Sequence, residues 1–513
     1  MTSHSPVWPF CRAAAAPGSS RGADDTCALP PLLAQAFALR LLRELLDPHD
    51  LRQIRVVDRA ARAFVDTHVE ALQVAGARQL RALNSAAAHG RLPALRELTF
   101  ATRVYSDCYD VPDGAEHLAA SIEEVAALGD ALQCLTSLTH LQLLLPEGNP
   151  SLHPATTALA QLQGLRRLVV VRDSEDCAFL AAAAQLPALE VLASSDTGGD
   201  IFATDTVLRR ANRPWLQLKT LELTALSLHE IKVLSRHLTP HVQRLRLNAS
   251  SEGLRRRDPT ANDTCGLLIL LSAPWARRLR GVALFNCRLG GMMLTGAAGL
   301  DLPELEELSL GGAGLGDYAV GELLAGRMPA LRSLDLRGNR LTDRGVPAVL
   351  SSCGCLERLE ELELGSNKLT DAGVAALARA PLHALRRLGL ARQRGAPGGG
   401  GGSALTDAAV AAVAGAAWAP QLAELDLSRN EGLGRDLGPW AALAAAPLAG
   451  ALRRLSVAGC SGVGAGVGEV LTGAAWLKRL QNLDLFGTDE GALHALRASA
   501  AFVCLEAAGG VHL

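Results

Sequence analysis

The chain has 513 residues, of which 49% are hydrophobic and only 4% are aromatic, and its formal net charge is −2. This charge gives no general attraction to nucleic acid or to an acidic membrane surface, and no uninterrupted apolar run approaches the roughly 18 residues of a membrane-spanning helix. A single globular core rarely reaches this size, so the length indicates several domains or a solenoid whose repeats contact only their neighbours.

The N-terminal part of the chain predicts a tail followed by helices. Residues 1–28 are rich in Ala, Ser, Pro and Gly and lack periodicity, which is typical of a disordered tail. Residues 29–68 are helical in pattern, since Leu51, Ile54 and Val57 recur at the spacing of one helix face after an Asp-Pro pair.

The helical segment contains a Leu-Pro pair, a leucine-rich helix, an Asp-Leu pair and an Arg-Val-Val run. It resembles a degenerate F-box, although Asp58 and Ala61 stand where that family usually has Cys and Trp. The resemblance implies that the adaptor of a cullin-type (SCF-like) ubiquitin ligase binds here, through Leu29, Pro30, Leu33, Leu51 and Val57. The alternative is an N-terminal cap, which a solenoid needs to cover its first open core.

From residue 69 to 513 one strand pattern recurs, at most intervals every 24–30 residues. The frame is clearest in LRSLDLRGNRL from Leu331 and LEELELGSNKL from Leu359, which both fit L-x-x-L-x-L-x-x-N-x-L. The pattern predicts fifteen strands, with frame starts at Val69, Leu95, Leu138, Leu165, Leu189, Leu218, Val242, Leu279, Leu305, Leu331, Leu359, Leu385, Leu422, Leu452 and Leu480.

Each place in the frame has a physical role. The leucines point into a core that a single repeat cannot close, and Leu334 and Leu362 are among them. Asn339 and Asn367 follow the strand, where an amide can satisfy backbone groups of the turn and of the neighbouring repeat. Cysteine takes this place at Cys287 and Cys460. A Thr-Asp pair then predicts a helix N-cap, at Thr342 or Asp343 and at Thr370 or Asp371.

The T-D-x-G-V helix start and the period of 26–28 residues are similar to the ribonuclease-inhibitor type of leucine-rich repeat. The resemblance implies an α/β solenoid, a horseshoe with a parallel concave sheet and outer helices, preceded here by the small helical segment. It also implies a role in protein binding. Three insertions, including the glycine-rich stretch 395–403, are expected to form surface loops.

The concave face is the predicted binding surface, because alternate side chains of each strand point out of the sheet. The earlier repeats place Arg244, Arg246 and Phe285 there. The later repeats place seven carboxylates there against few cations: Glu307, Asp335, Glu361, Glu363, Glu424, Asp426 and Asp484. We expect the acidic half to prefer a basic protein ligand; the alternative is that these charges only keep the strand face soluble.

Motifs for catalysis or metal binding are absent. Cys353 and Cys355 have no second pair at zinc-ligand spacing, and the sequence contains neither HExxH nor Gly-x-Ser-x-Gly. We therefore expect no enzyme, no catalytic residue, no metal and no cofactor. The odd number of dispersed cysteines favours a reducing compartment such as the cytoplasm.

The sequence thus predicts a protein-protein interaction module. The leading hypothesis is a substrate-recognition subunit of an SCF-like ubiquitin ligase that holds its target on the concave face. One alternative is a non-ligase scaffold in the cytoplasm, cytoskeleton or cilium axoneme. Another is a GTPase-activating protein of the Ran type, which is built from the same kind of repeat. Nucleic acid and membrane are not expected partners.

Overall fold

The computed structural model describes residues 69–101, 126–144, 153–171, 182–194, 217–226, 238, 241–249, 270–285, 297–352, 356–394, 405–446 and 451–512. The chain divides into two compact units, of which the larger comprises Glu70–Gly90 and Leu95–Leu513. The smaller unit lies almost wholly outside the described residues. The F-box-like residues Leu29, Pro30, Leu33, Leu51 and Val57 lie outside them too.

Sixteen strands of the larger unit form one parallel sheet, in which the spatial order is the order along the chain. The strands are β1 (Ala71–Ala75), β2 (Glu97–Ala101), β3 (His140–Leu144), β4 (Arg167–Val171), β5 (Val191–Ser194), β6 (Thr220–Leu226), β7 (Arg244–Ala249), β8 (Gly281–Phe285), β9 (Glu307–Ser309), β10 (Ser333–Asp335), β11 (Glu361–Glu363), β12 (Arg387–Gly389), β13 (Glu424–Asp426), β14 (Arg454–Ser456), β15 (Asn482–Asp484) and β16 (Val511–His512). Each of the fifteen predicted frame starts precedes its strand by two residues, so that prediction is confirmed. Strand β16 was not predicted.

The leucines of the frame form the core. Leu308, Leu334 and Leu362 are register partners on β9, β10 and β11, so equivalent leucines stack from repeat to repeat. Leu334 is 1% exposed and Leu362 is fully buried. The predicted burial of both residues is confirmed, and each strand therefore presents one apolar and one polar face.

A layer of helices lies against the apolar side of the sheet. The helices are α1 (Gly76–Ala88), α2 (His153–Leu159), α3 (Asp317–Leu324), α4 (Gly345–Ser352), α5 (Asp371–Ala378), α6 (Asp407–Ala414), α7 (Leu437–Ala445), α8 (Ala465–Thr472), α9 (Glu490–Leu496) and α10 (Ala500–Ala507). Short 3-10 turns also occur here, for example at Ala475–Arg479. Their buried faces close the core that one repeat leaves open.

The Thr-Asp pairs divide two tasks between them. Thr370 is the N-cap of α5 and accepts a hydrogen bond from Ala372 N at 3.3 Å. Asp343 of the preceding repeat accepts from Thr370 N at 2.8 Å and from Thr370 Oγ1 at 2.6 Å. Asp371 makes the same pair of contacts with Thr406. The threonine therefore caps its own helix, while the aspartate connects one repeat to the next.

Buried amides connect the turns that follow the strands. Asn367 donates to Leu336 O and Leu364 O, both at 2.9 Å, and accepts from Leu341 N at 3.1 Å. Asn339 makes the equivalent three bonds one repeat earlier. The predicted role of these asparagines in satisfying their own turn and its neighbour is confirmed.

The amide ladder continues beyond the two asparagines. Gln393 donates to Leu364 O at 2.7 Å, and Asn430 accepts from Gln393 N at 2.9 Å. Cys460 then occupies the asparagine place, as predicted, with its Sγ 3.3 Å from Leu427 O. Burial raises the pKa of the Cys460 thiol to about 11. Its role is therefore structural. Cys287 lies outside the described residues.

Candidate binding surface on the sheet

The polar side of the sheet, hereafter the outward face, carries all ten residues that the sequence predicted for binding. On β9, for example, Glu307 is exposed, Leu308 is buried and Ser309 is half-buried. The other predicted residues lie on the same face, although Asp335 is buried there at 7% exposure. Their role in binding stays a prediction. They are Arg244, Arg246, Phe285, Asp335, Glu361, Glu363, Glu424, Asp426 and Asp484.

A long-range ion pair crosses the middle of the outward face. Arg244 of β7 reaches Glu307 of β9 with Nη2 3.2 Å from Oε1, although β8 lies between them. The pair passes over Gly281, where a Cβ would make ordinary van der Waals contacts of 3.4 Å with the Arg244 stem and 3.5 Å with the Glu307 carboxylate. Both side chains are more than half exposed, so the pair contributes little to stability and mainly sets local charge.

Arg246 and Phe285 form a second contact on the earlier strands. The Arg246 guanidinium lies 5.5 Å from the centre of the Phe285 ring, a cation–π distance. Arg246 also lies 3.4 Å from Glu222 of β6. The Phe285 ring covers the end of β9, since a Cβ on Gly311 would lie 3.1 Å from it. This part of the face is apolar at its centre and paired in charge.

Arginines also neutralise much of the acidic half. Arg387 of β12 lies 2.7 Å from Glu361 on one side and 3.9 Å from Glu424 on the other. Arg454 of β14 approaches Glu424 at 3.3 Å. Asp335 is paired at 2.8 Å with Arg337 of its own repeat. Together with Glu307, four of the seven predicted carboxylates therefore have a cation beside them.

The remaining negative charge lies in one row at the fifth place of the frame. Within the described part of the chain, Glu363, Asp426 and Asp484 form no ion pair. Asp426 accepts from Ser428 N at 2.9 Å and Asp484 from Phe486 N at 3.2 Å, so backbone amides fix both carboxylates. Any preference for a basic partner is concentrated along this row.

Glu363 is the most perturbed member of the row. Its carboxylate occupies the space that the missing side chain of Gly389 leaves on the next strand. Burial raises the pKa of Glu363 to about 7; the Arg337 charge opposes this, while Asp335, Asp426 and Glu361 reinforce it. Near neutral pH the row therefore carries a variable charge.

Glu363 makes stability depend on pH. The folded protein holds this proton more tightly than the unfolded chain, whose glutamate has a pKa near 4.5. The free energy of unfolding should therefore fall as the pH rises from about 4.5 to 7 and lose this dependence above 7. Urea midpoints measured over that range should show a smaller fall in Glu363→Gln, and the variant should be more stable than the wild type at pH 7.5. Parallel pH profiles for the two proteins would contradict this assignment.

An exposed aromatic residue on this surface was missed from the sequence. Phe486 follows β15 at the seventh place of the frame and is 67% exposed. It lines a cavity of about 480 Å³ with Asp484, Arg429 and His512. Reading the seventh place of the last repeat would have found it. An exposed ring beside a fixed carboxylate provides apolar area and a charge within one small site.

Other kinds of site have little support in the described residues. No cluster of His, Cys, Asp and Glu there could hold a metal ion. None of the described helices combines the length and the apolar composition needed to cross a membrane.

A family model described as Leucine Rich repeat matches residues 328–349 and 358–378. No curated protein matches the sequence. Among solved structures, the chain is similar to one from the Rad7 and Elc1 complex in yeast, with 15% identity, a TM-score of 0.42, and coverage of 90% of this chain and 94% of that one. An internalin, InlF, from Listeria monocytogenes strain 4b F2365 is similar with 13% identity, a TM-score of 0.33, and coverage of 88% and 92%.

The matched segments correspond to the repeats that contain β10 with α4 and β11 with α5. The neighbouring strands continue the same frame in register, from β9 to β15. Residues 328–349 and 358–378 are therefore leucine-rich repeats, and the sheet to which they belong is an α/β leucine-rich-repeat solenoid.

Proposed function

We propose that the protein is an interaction module that binds a protein partner on the outward face of β9–β15. The observation that carries this proposal is the row of Glu363, Asp426 and Asp484, which forms no ion pair within the described residues and ends beside the exposed ring of Phe486. Aromatic residues are enriched at protein interfaces, and a row of carboxylates steers and selects a partner of opposite charge. The partner that fits it has basic side chains facing the row and an apolar contact for Phe486.

A paired set of variants tests this proposal. Asp484→Arg with Phe486→Ala reverses a charge and removes the aromatic ring on the outward face. Glu469→Arg with Val503→Ala makes the same kinds of change in the helical layer, where both residues are exposed. In quantitative affinity purification, we expect the partner to be retained by the wild type and by the helical variant. We expect it to be lost from the outward-face variant. Equal retention by both variants would exclude this face as the binding site.

We propose further that the partner is the target of an SCF-like ubiquitin ligase. The support is the F-box-like pattern of residues 29–68 directly before the first repeat. In this arrangement the N-terminal segment binds the adaptor while the outward face holds the target. Bringing a target close to the ligase raises its effective concentration without any chemistry in the repeats.

Co-expression with the ligase adaptor tests the second proposal. The intact chain should elute with the adaptor in size-exclusion chromatography, and deletion of residues 1–66 should abolish that co-elution while target binding persists. A cap would behave differently, because its deletion exposes the first repeat and causes aggregation with or without a partner. If the intact chain does not bind the adaptor, the ligase proposal fails. The non-ligase scaffold function of the outward face then remains.

A further inference from the structure

A second charged surface lies on the turns that follow β10, β11 and β12. These turns form a groove of about 360 Å³, whose lining includes Arg340, Lys368 and Arg394 but neither a carboxylate nor an aromatic ring. The three cations occupy the tenth place of the frame in three successive repeats. Because neighbouring strands lie about 4.8 Å apart, three positive charges stand side by side along the groove.

The lining leaves these cations available to a ligand. None of the three forms an ion pair within the described residues, and Arg340 and Arg394 are exposed. The amides of Asn339 and Asn367 also line the groove, but they are buried and bonded to backbone groups. Positive charge is therefore the main feature that the groove offers to a ligand.

Two more arginines extend the positive charge along the same edge. Arg392 and Arg429 are exposed residues with φ of 53° and 57°, in the left-handed region that favours glycine. Glycine fills the equivalent place at Gly338 and Gly459, with φ of 69° and 67°. The turn itself therefore does not require arginine. At the eighth to tenth places of the four repeats from β10 to β13, Glu431 is the one carboxylate.

We propose that this basic edge binds an acidic segment of the protein partner, as a second contact that rests on the proposed function of the outward face. Two members of the acidic row lie close to this edge, since Glu363 precedes Lys368 in one repeat and Asp426 precedes Arg429 in another. A uniformly anionic polymer would be repelled by that row, whereas a protein segment can match both signs of charge. The lining also lacks the aromatic rings on which nucleic-acid bases stack.

Fluorescence anisotropy of the full-length protein tests this proposal. The probes are a labelled glutamate-rich peptide, the same peptide with phosphoserine in place of glutamate, and a lysine-rich peptide. Arg340→Ala with Lys368→Ala and Arg394→Ala should weaken binding of an acidic probe by at least about tenfold. The phosphoserine and glutamate arms distinguish phosphoryl from carboxylate recognition. The lysine-rich peptide should not respond to these substitutions.

A matched variant removes three cations from the helical side of the same repeats: Arg344→Ala with Arg358→Ala and Arg379→Ala. It should change the affinity by less than about twofold, because none of these residues lines the groove and solvent screens exposed charges outside it. Arg340→Lys with Arg394→Lys keeps the charge and should retain most of the binding. This second variant separates loss of charge from loss of folding.

Three results would overturn the proposal: no binding of either acidic peptide by the wild type, equal weakening by the two triple variants, or tighter binding of a single-stranded oligonucleotide than of the peptides. The test is independent of the outward face. Asp484→Arg with Phe486→Ala should leave acidic-peptide binding intact or stronger. If that variant also keeps the natural partner, the outward-face proposal fails while the groove stands.

Discussion

Replacing Leu362 with alanine is expected to lower the free energy of unfolding by about 2–5 kcal/mol. Leu362 is fully buried at the centre of β11 and pairs in register with Leu334 and Leu388 on the two flanking strands. The flanking strands are held by their own ladders, so they cannot close on the cavity that the truncation leaves. The cost therefore includes both lost burial and an unfilled volume.

Urea denaturation followed by circular dichroism measures this loss, with Leu437→Ala as the matched control. Leu437 undergoes the same truncation at a position that is 44% exposed, and it should lose less than about 1 kcal/mol. Because repeats are coupled mainly to their neighbours, hydrogen exchange should accelerate most in β10, β11 and β12. Equal losses at the two leucines would show that the core of this repeat is not packed as described.

Replacing Asn367 with leucine should cost about 2–4 kcal/mol, although the new side chain is apolar and has the same branched arrangement of heavy atoms. The substitution leaves Leu341 N without its acceptor in a buried site. The two carbonyls each keep one hydrogen-bond donor, because Leu336 O still accepts from Asn339 and Leu364 O still accepts from Gln393. The main loss is therefore the buried Leu341 N left without an acceptor, together with the amide bonds to Leu336 O and Leu364 O.

The adjacent half-buried residue Lys368 provides the control for Asn367. Lys368→Ala alters the same turn without touching a buried backbone group and should change the urea midpoint little. Double substitution of Asn339 and Asn367 should cost more than the sum of the single changes, because Leu336 O then loses both of its amide donors. Additive costs would mean that the two amides act independently.

The repeating frame predicted the sheet because it is set by local burial. Leu334 and Leu362 recur at fixed offsets, and any residue at those offsets must point into the core. Strand β16 and Gln393 were missed for the opposite reason, since β16 lacks the leucine frame and glutamine departs from the usual asparagine. The ribonuclease-inhibitor subtype and the F-box-like segment stay predictions.

Charge pairing on the outward face could not be predicted in the same way. Arg244 and Glu307 are 63 residues apart and meet across Gly281, which has no side chain to stand between them. The frame assigns side chains to a face, but the contacts across that face depend on which neighbour is small. The raised pKa of Glu363 arises similarly, from the space beside Gly389 on the next strand.

The rate at which Cys460 is alkylated measures how often one repeat opens. The thiolate is the form that alkylating reagents attack, and this thiol is fully buried with a pKa of about 11. Cys134 and Cys504 are exposed and should be labelled first. Peptide mass spectrometry can follow the later labelling of Cys460. Its rate then reports how often the turn after β14 opens in the folded protein. Local opening can therefore be measured in the unmodified protein, without an introduced cysteine or label site.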